Sequence, residues 1–244
     1  MLRHGDWGEA DRLLTLYTRE EGKLRAIAKG ARKPLSRKAG HLEPLTRVSL
    51  LLARGRSFFI VTQAETVDAH LPLTEDLELV GYGSYVLELL DSFTHDEDEN
   101  RSLYRLLTAT LSRLVNGAEP QLVLRYYELR LLDALGYRPE LFQCVSCEAE
   151  IQPEDQYFSA GLGGVLCPRC GSGQKGARPV SRDALRYLRH FQRSSYADAA
   201  RARIPAPIAL ELENLMHHYL TYLLERGLHT PSFMRQVKKG GAEL

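Results

Sequence analysis

The chain has 244 residues, 44% of them hydrophobic, with four cysteines and a formal net charge of +1. That is enough apolar material for one large core or two smaller ones, and no run approaches the eighteen apolar residues of a membrane-spanning helix. Met1 to Asp6 contains no apolar stretch, so no secretory leader is expected and the expected compartment is the cytoplasm.

In chain order, the first seventy residues read as short strands. Leu13 to Tyr17 is an apolar run closed by a turn at Glu20-Glu21-Gly22. Lys23 to Lys29 alternates, with Leu24, Ala26 and Ala28 on one face and Lys23, Arg25, Ile27 and Lys29 on the other. Gly30 to Gly40 is a basic loop. Arg47 to Ala53 and Phe58 to Ala64 read as two more strands joined at Arg54-Gly55-Arg56. Several short strands with glycine turns predict a small barrel.

After Pro72 the apolar period becomes that of helices, over Leu73–Phe93, Leu103–Val115 and Gln121–Leu135. Thr74 is placed to cap the first, and His95–Asn100 is a charged loop. Gly136 and Pro139 end the third. Two further helices are expected over Ser181–Arg193 and Pro207–Arg226. The fold class is therefore α+β and multidomain. The expected divisions are a barrel over residues 1–72, a helical domain over 73–143, a cysteine module over 144–172, and the rest of the helical domain over 173–244.

The cysteines form two pairs, Cys144-Val-Ser-Cys147 and Cys167-Pro-Arg-Cys170, with nineteen residues between the pairs. Two residues between cysteines let a tight turn aim both sulfurs at one ion, and two such turns complete a tetrahedron of thiolates. One structural Zn²⁺ ion is expected on Cys144, Cys147, Cys167 and Cys170. A closed set of four leaves no position for water or substrate. The rival reading, two disulfides, does not suit an intracellular chain. Leu166 to Cys170 faintly echoes half of a deaminase signature, but the His-x-Glu half is missing.

The near-zero net charge hides a segregation. Between Gly22 and Arg56 stand ten basic residues and one acid, Glu43; between Ser57 and Asn100 stand eleven acids and no lysine or arginine. A cationic segment of this kind suits a polyanion, because each Lys or Arg placed on a phosphate releases counterions. The competing reading is a solvated surface, which leaves the self-repulsion of ten cations without a purpose. Tyr17, Phe58 and Phe59 are the local aromatics available for stacking, with a core role for them at least as natural.

Other features carry less. Gly171 to Gly176 matches G-x-G-x-x-G but follows a cysteine turn where a nucleotide site needs a strand, so it reads as linker. His217 and His218 are adjacent on a helix and point apart. The acids at 96–99 lack calcium-loop spacing. No Ser/His/Asp set, paired-carboxylate signature or Walker sequence stands out, so no catalytic residue is assigned and no enzyme is expected.

Taken together, the chain resembles the RecO family. The resemblance is carried by Gly8-Glu9-Ala10-Asp11-Arg12, Glu21-Gly22-Lys23-Leu24, Ala28-Lys29-Gly30-Ala31-Arg32, Ala64-Glu65, Tyr85 to Asp91, Glu128 to Leu132, Leu135-Gly136-Tyr137 with Pro139, and the cysteine pairs. It covers essentially the whole chain and weakens beyond about residue 180. Members usually have a strand ahead of the region where Leu2-Arg3 stands, so the first barrel strand is expected to be incomplete. The resemblance implies an OB-fold barrel followed by an α-helical domain that carries the zinc module. It also implies a non-enzymatic recombination mediator at the nucleoid. Such a protein binds single- and double-stranded DNA, anneals complementary strands, acts with RecR, engages single-strand-binding protein and helps RecA load. Carried onto this chain, the DNA contacts are Lys23, Arg25, Lys29, Arg32, Lys33, Arg37, Lys38, Arg54 and Arg56. The alternative is a zinc-stabilised protein-interaction scaffold without direct DNA binding.

Overall fold

The computed structural model describes residues 1–225, 227, 228, 230, 231 and 234. The chain divides into two compact units, with Met1–Gly117 in the first and Ala118–Leu228 forming the second.

The first unit is built on five strands: β1 (Arg3–Trp7), β2 (Asp11–Thr18), β3 (Gly22–Ala28), β4 (Arg47–Arg54) and β5 (Phe59–Asp68). Their order is β1-β2-β3-β5-β4, with β3 and β5 parallel and the other neighbours antiparallel. That is the strand order of an OB-fold, a partly open five-stranded barrel. Met1 N donates to Thr46 O (2.7 Å) and Leu45 N donates to Met1 O (3.2 Å), which ties the two edges of the sheet at one end. Leu14, Leu16, Leu24, Ala26, Ala28, Leu42 and Val61 fill the interior, with Phe59 and Leu52 packed against them. Each fully buried leucine contributes on the order of 2 kcal/mol.

β1 carries no apolar alternation, and four of its five residues are exposed. It belongs to the sheet through backbone pairing with β2, from Arg3 opposite Thr15 to Trp7 opposite Asp11. The sequence pattern alone starts the strands at Leu13, one strand late.

Helices α1 (Pro72–Glu75), α2 (Leu77–Phe93) and α3 (Arg101–Val115) complete this unit. The cap of the long helix is Asp76, whose side chain accepts from Glu78 N and Leu79 N, and not Thr74. Thr74 instead donates to Leu71 O in the preceding short turn, because Asp76 is extended and breaks the helix there. The acidic loop after α2 lies on the β2–β3 turn. Glu97 N donates to Lys23 O (2.6 Å), and Gly22, at φ +65°, lets the loop backbone approach where no side chain fits.

In the second unit, α4 (Pro120–Ala134) is buried on nearly every side, which explains its lack of a polar face. It holds an internal ion pair, Arg125 to Glu128 at 2.7 Å, with both side chains almost fully buried. Gly136 takes the left-handed cap at φ +80°. A three-stranded sheet follows in the order β7-β6-β8, from β6 (Gln156–Ser159), β7 (Gly164–Leu166) and β8 (Arg178–Val180). One-turn helix α5 (Pro168–Gly171) lies between β7 and β8. α6 (Arg182–Arg193), α7 (Tyr196–Ala199) and α8 (Ala206–Leu224) close the unit. Ser181 caps α6 by accepting from Ala184 N. α8 stops at Leu224, and Arg226, where the sequence pattern ends this helix, lies outside the described residues.

At Gly22 a Cβ would stand 1.9 Å from Asp98 O, in a backbone conformation that side chains rarely adopt. Gly22→Ala is therefore expected to lose about 2 kcal/mol or more of stability, read as a lower denaturant midpoint.

A candidate nucleic-acid surface and a four-cysteine centre

Strand alternation sorts the predicted cations. Leu24, Ala26 and Ala28 of β3 point into the barrel, while Arg25 and Lys29 are exposed. The β4–β5 turn holds Arg54 and Arg56, also exposed. Arg25, Arg54 and Arg56 line one groove of about 310 Å³ together with Phe58, and Asp96 and Glu97 lie along it. Arg25 Nε meets Asp96 Oδ2 at 3.2 Å, so a carboxylate of the acidic loop competes for this guanidinium.

The loop after β3 carries Lys29, Arg32, Lys33, Arg37 and Lys38. The first four are exposed. Arg32 is held by Asp6 (3.1 Å) and is oriented through its own backbone N–H, which donates to Ala10 O. Lys38 is half-buried, and its Nζ donates to Val61 O at 3.2 Å.

Lys23 does not belong with them. It is 8% exposed, and its Nζ donates to Asp91 O (2.7 Å) and Asp91 Oδ1 (3.1 Å) at the end of α2. Its place on the outward face of β3 brings it under α2, and a buried ammonium has to be paired. Its charge serves the fold. The aromatics sort in the same way. Tyr17 is buried, and burial first, then the charge of Asp98, pushes its phenol up to about 12. Phe59 turns into the core and Phe58 turns out. Trp7, which carries no signal in the strand pattern, is 42% exposed and meets Phe58 edge-on with ring centres 5.6 Å apart.

The first unit also has a larger cavity, about 570 Å³, flanked by Arg19, Glu20, Glu21, Arg47 and His70. Arg19 there pairs with Glu20 at 2.6 Å and Glu21 adds a second carboxylate, so it offers a polyanion little. The smaller groove is the cationic one.

In the second unit the ligand atoms of Cys144, Cys147, Cys167 and Cys170 all lie within 4.8 Å of one another. Cys147 Sγ and Cys167 Sγ are 3.8 Å apart, the edge of a tetrahedron whose centre is about 2.3 Å from each sulfur, as in zinc thiolate sites. The turns are built to hold anionic sulfur. Burial opposes ionisation of Cys144, but backbone N–H groups of Cys167, Cys147 and Ser146 overcome it and hold the thiol down to about 6. Cys170 is pushed up to about 12, first by its hydrogen bond to Cys167 and then by that to Cys147. A divalent cation held by the four sulfurs would displace their protons. The residues present fit such an ion. The centre is seated on α6: Arg189 Nε donates to Leu141 O (2.7 Å), and Gln192 Nε2 donates to Pro139 O (2.8 Å). Gly171 is required beside it, since a Cβ there would meet Tyr157 at 2.4 Å.

An OB-fold carrying a cationic groove, in one chain with a unit in which four thiols cluster, is a combination suited to nucleic-acid handling. Comparison with known proteins gives the family. Residues 1–70 match the model for the N-terminal part of recombination protein O, and residues 74–231 match that for its C-terminal part. The chain is similar to the protein named DNA repair protein RecO of Roseiflexus sp., at 41% identity over 98% of this chain and 84% of that one. It is also similar to those of the same name from Dehalococcoides mccartyi (37%; 93% and 89% covered) and Pelotomaculum thermopropionicum (37%; 96% and 91%). The chain belongs to the RecO family.

The Asp91 carboxyl sits below the ordinary carboxylate range: burial would raise it, but the hydrogen bonds from Arg3 and Lys23 and their charges prevail. A depressed carboxyl stabilises the fold above its unfolded value, near 3.9, and that stabilisation fades as pH falls through the folded value. Asp91→Asn is expected to cost roughly 1–3 kcal/mol at neutral pH. In denaturation curves taken from pH 7 downward, the gap to the unaltered protein should close below about pH 4.

Proposed function

We propose that this chain is a non-enzymatic DNA repair and recombination mediator. It binds single- and double-stranded DNA, anneals complementary strands and acts with RecR. On DNA coated by single-strand-binding protein, it helps RecA to load. The observation that carries this reading is the groove in which Arg25, Arg54 and Arg56 converge beside Phe58, continued in sequence by the exposed cations of the loop after β3. Membership of the RecO family supports it. Guanidinium and ammonium groups bind the sugar–phosphate chain without reading sequence. Two complementary strands held this way repel each other less, and their base edges stay free to pair.

The DNA contacts assigned are Arg25, Lys29, Arg32, Lys33, Arg37, Lys38, Arg54 and Arg56. The centre on Cys144, Cys147, Cys167 and Cys170 holds one structural Zn²⁺ and contributes to folding rather than to any reaction. The protein acts in the cytoplasm at the nucleoid. No helix among the described residues is long and apolar enough to cross a membrane.

The Arg25–Asp96 contact favours a second reading, since it shows this face accepting a protein carboxylate: a scaffold whose cations take an acidic protein partner. Filter binding of oligonucleotides at two salt concentrations separates the two. In the DNA reading, alanine at Lys29, Arg32, Lys33 and Arg37 weakens binding at low salt. It also flattens the plot of log K against log salt by about 0.7 for each single-strand phosphate contact removed. Unchanged affinity and slope would leave the scaffold reading standing.

For the metal, Cys147→Ser is expected to remove one equivalent of bound zinc and to lower the melting temperature by about 5 °C or more. Cys147 is exposed, so serine disturbs little packing of its own. Metal content and melting curves check this together, and a zinc-free variant with an unchanged melting temperature contradicts a structural role.

A further inference from the structure

The sheet of the first unit has an outer face that its core does not use. Leu13, Ile27, Ile60 and Ala53 stand opposite one another across β2, β3, β5 and β4, and none of them is fully buried. On the same side of β3, Arg25 and Lys29 flank Ile27 two residues away on either hand, and both are exposed. Phe58, two residues before Ile60, falls on this side and lines the arginine groove. Trp7, on edge strand β1, leaves 42% of its surface open while its ring meets Phe58 at 5.6 Å and 78°. An apolar, aromatic strip bordered by cations is thus presented to solvent.

We propose that Trp7, braced by Phe58, is a stacking platform for an unpaired base, and that it makes this unit discriminate single-stranded from duplex nucleic acid. This inference rests on the nucleic-acid reading of the same face. Only an unpaired strand fits the whole strip. Its phosphates go to the bordering guanidinium and ammonium groups, while its bases offer flat π-faces to an indole held edge-on by a second ring. A duplex satisfies the cations equally, but its base faces are covered by their neighbours and only its edges reach the grooves. Cations alone therefore bind both forms, and an aromatic platform among them separates the two. An apolar protein segment would also cover the indole, but it leaves Lys29, Arg54 and Arg56 without anions.

Trp7 is the only tryptophan in the chain, so intrinsic fluorescence reports on it alone. The unaltered protein is titrated with an oligothymidylate, a blunt duplex of equal charge and inorganic polyphosphate. The expected result is strong quenching by the oligothymidylate and little by the other two at saturation. Trp7→Ala is expected to weaken single-strand binding about tenfold, to leave duplex binding within about twofold, and so to collapse the ratio between them; Trp7→Phe keeps most of it. Equal quenching by polyphosphate, or an unchanged ratio in Trp7→Ala, overturns the inference while leaving DNA binding intact. If the oligothymidylate binds with a silent tryptophan, the inference fails in the same way. If no oligonucleotide binds, the inference falls together with the reading beneath it. The quenching arm needs no variant, so a poorly folded Trp7→Ala does not decide the outcome.

Discussion

The carboxylate of Asp91 takes both Lys23 and Arg3, and through them the last turn of α2 is fixed to the first strands of the barrel. That contact decides which cations remain for a ligand. A lysine that packs under a helix cannot stay unpaired, because removing an ammonium from water costs far more than a surface ion pair returns. Lys23 is therefore held at 2.7 Å and 3.1 Å by Asp91, and the backbone N–H of Glu97 donates to the carbonyl of the same residue. Arg25, two residues on, meets Asp96 in the open, where water screens the pair and a phosphate can compete. One strand thus grades from structural cation to available cation over two residues, and the end of α2 with the acidic loop after it sets the gradient.

The second unit depends on a different anion problem. Four sulfurs within 4.8 Å of one another are a poor arrangement for thiols and a good one for a tetrahedral cation. Backbone N–H groups prepare Cys144 for the charged state, and the turn geometry prepares the positions. The neighbouring sheet is short, with strands of three and four residues, and gains support from α6 through Arg189 and Gln192. An ion held by the four sulfurs would cross-link a segment with so small an apolar core, much as disulfides or metals do in small domains.

What the sequence makes legible follows from which interactions leave a local trace. The cysteine turns are read correctly because the two-residue spacing is itself the geometry. Gly136 and Ser181 are read correctly because a left-handed cap and a side-chain cap are decided within one turn. β1 is missed because Arg-His-Gly-Asp-Trp owes its strand to the backbone of β2 and not to its own alternation. The cap is misplaced at Thr74 because Asp76 competes two residues later, and the aspartate accepts two N–H groups where the threonine turns back to Leu71. The pairing of Lys23 is not legible because its partner lies 68 residues away, and charge runs do not say which member a distant helix will cover. Trp7 stands outside the basic segment and becomes visible only when the chain brings Phe58 to it.

An annealing surface has to hold a strand without holding its pairing edges. Cations on the phosphates meet that condition, since they leave the bases free, but they also hold the finished duplex and so slow its release. A single stacking position changes the balance. On the proposed surface, one base on Trp7 would contribute on the order of 1–3 kcal/mol to the single-strand complex, a contribution lost once the base is stacked inside a duplex. The strand would then be gripped most firmly before it pairs and least firmly afterwards, which would favour turnover from substrate to product. A continuous run of aromatics would oppose pairing at every base. One exposed indole, with Tyr17 buried and Phe59 half-buried against the core, would retain the strand and leave most of its bases available.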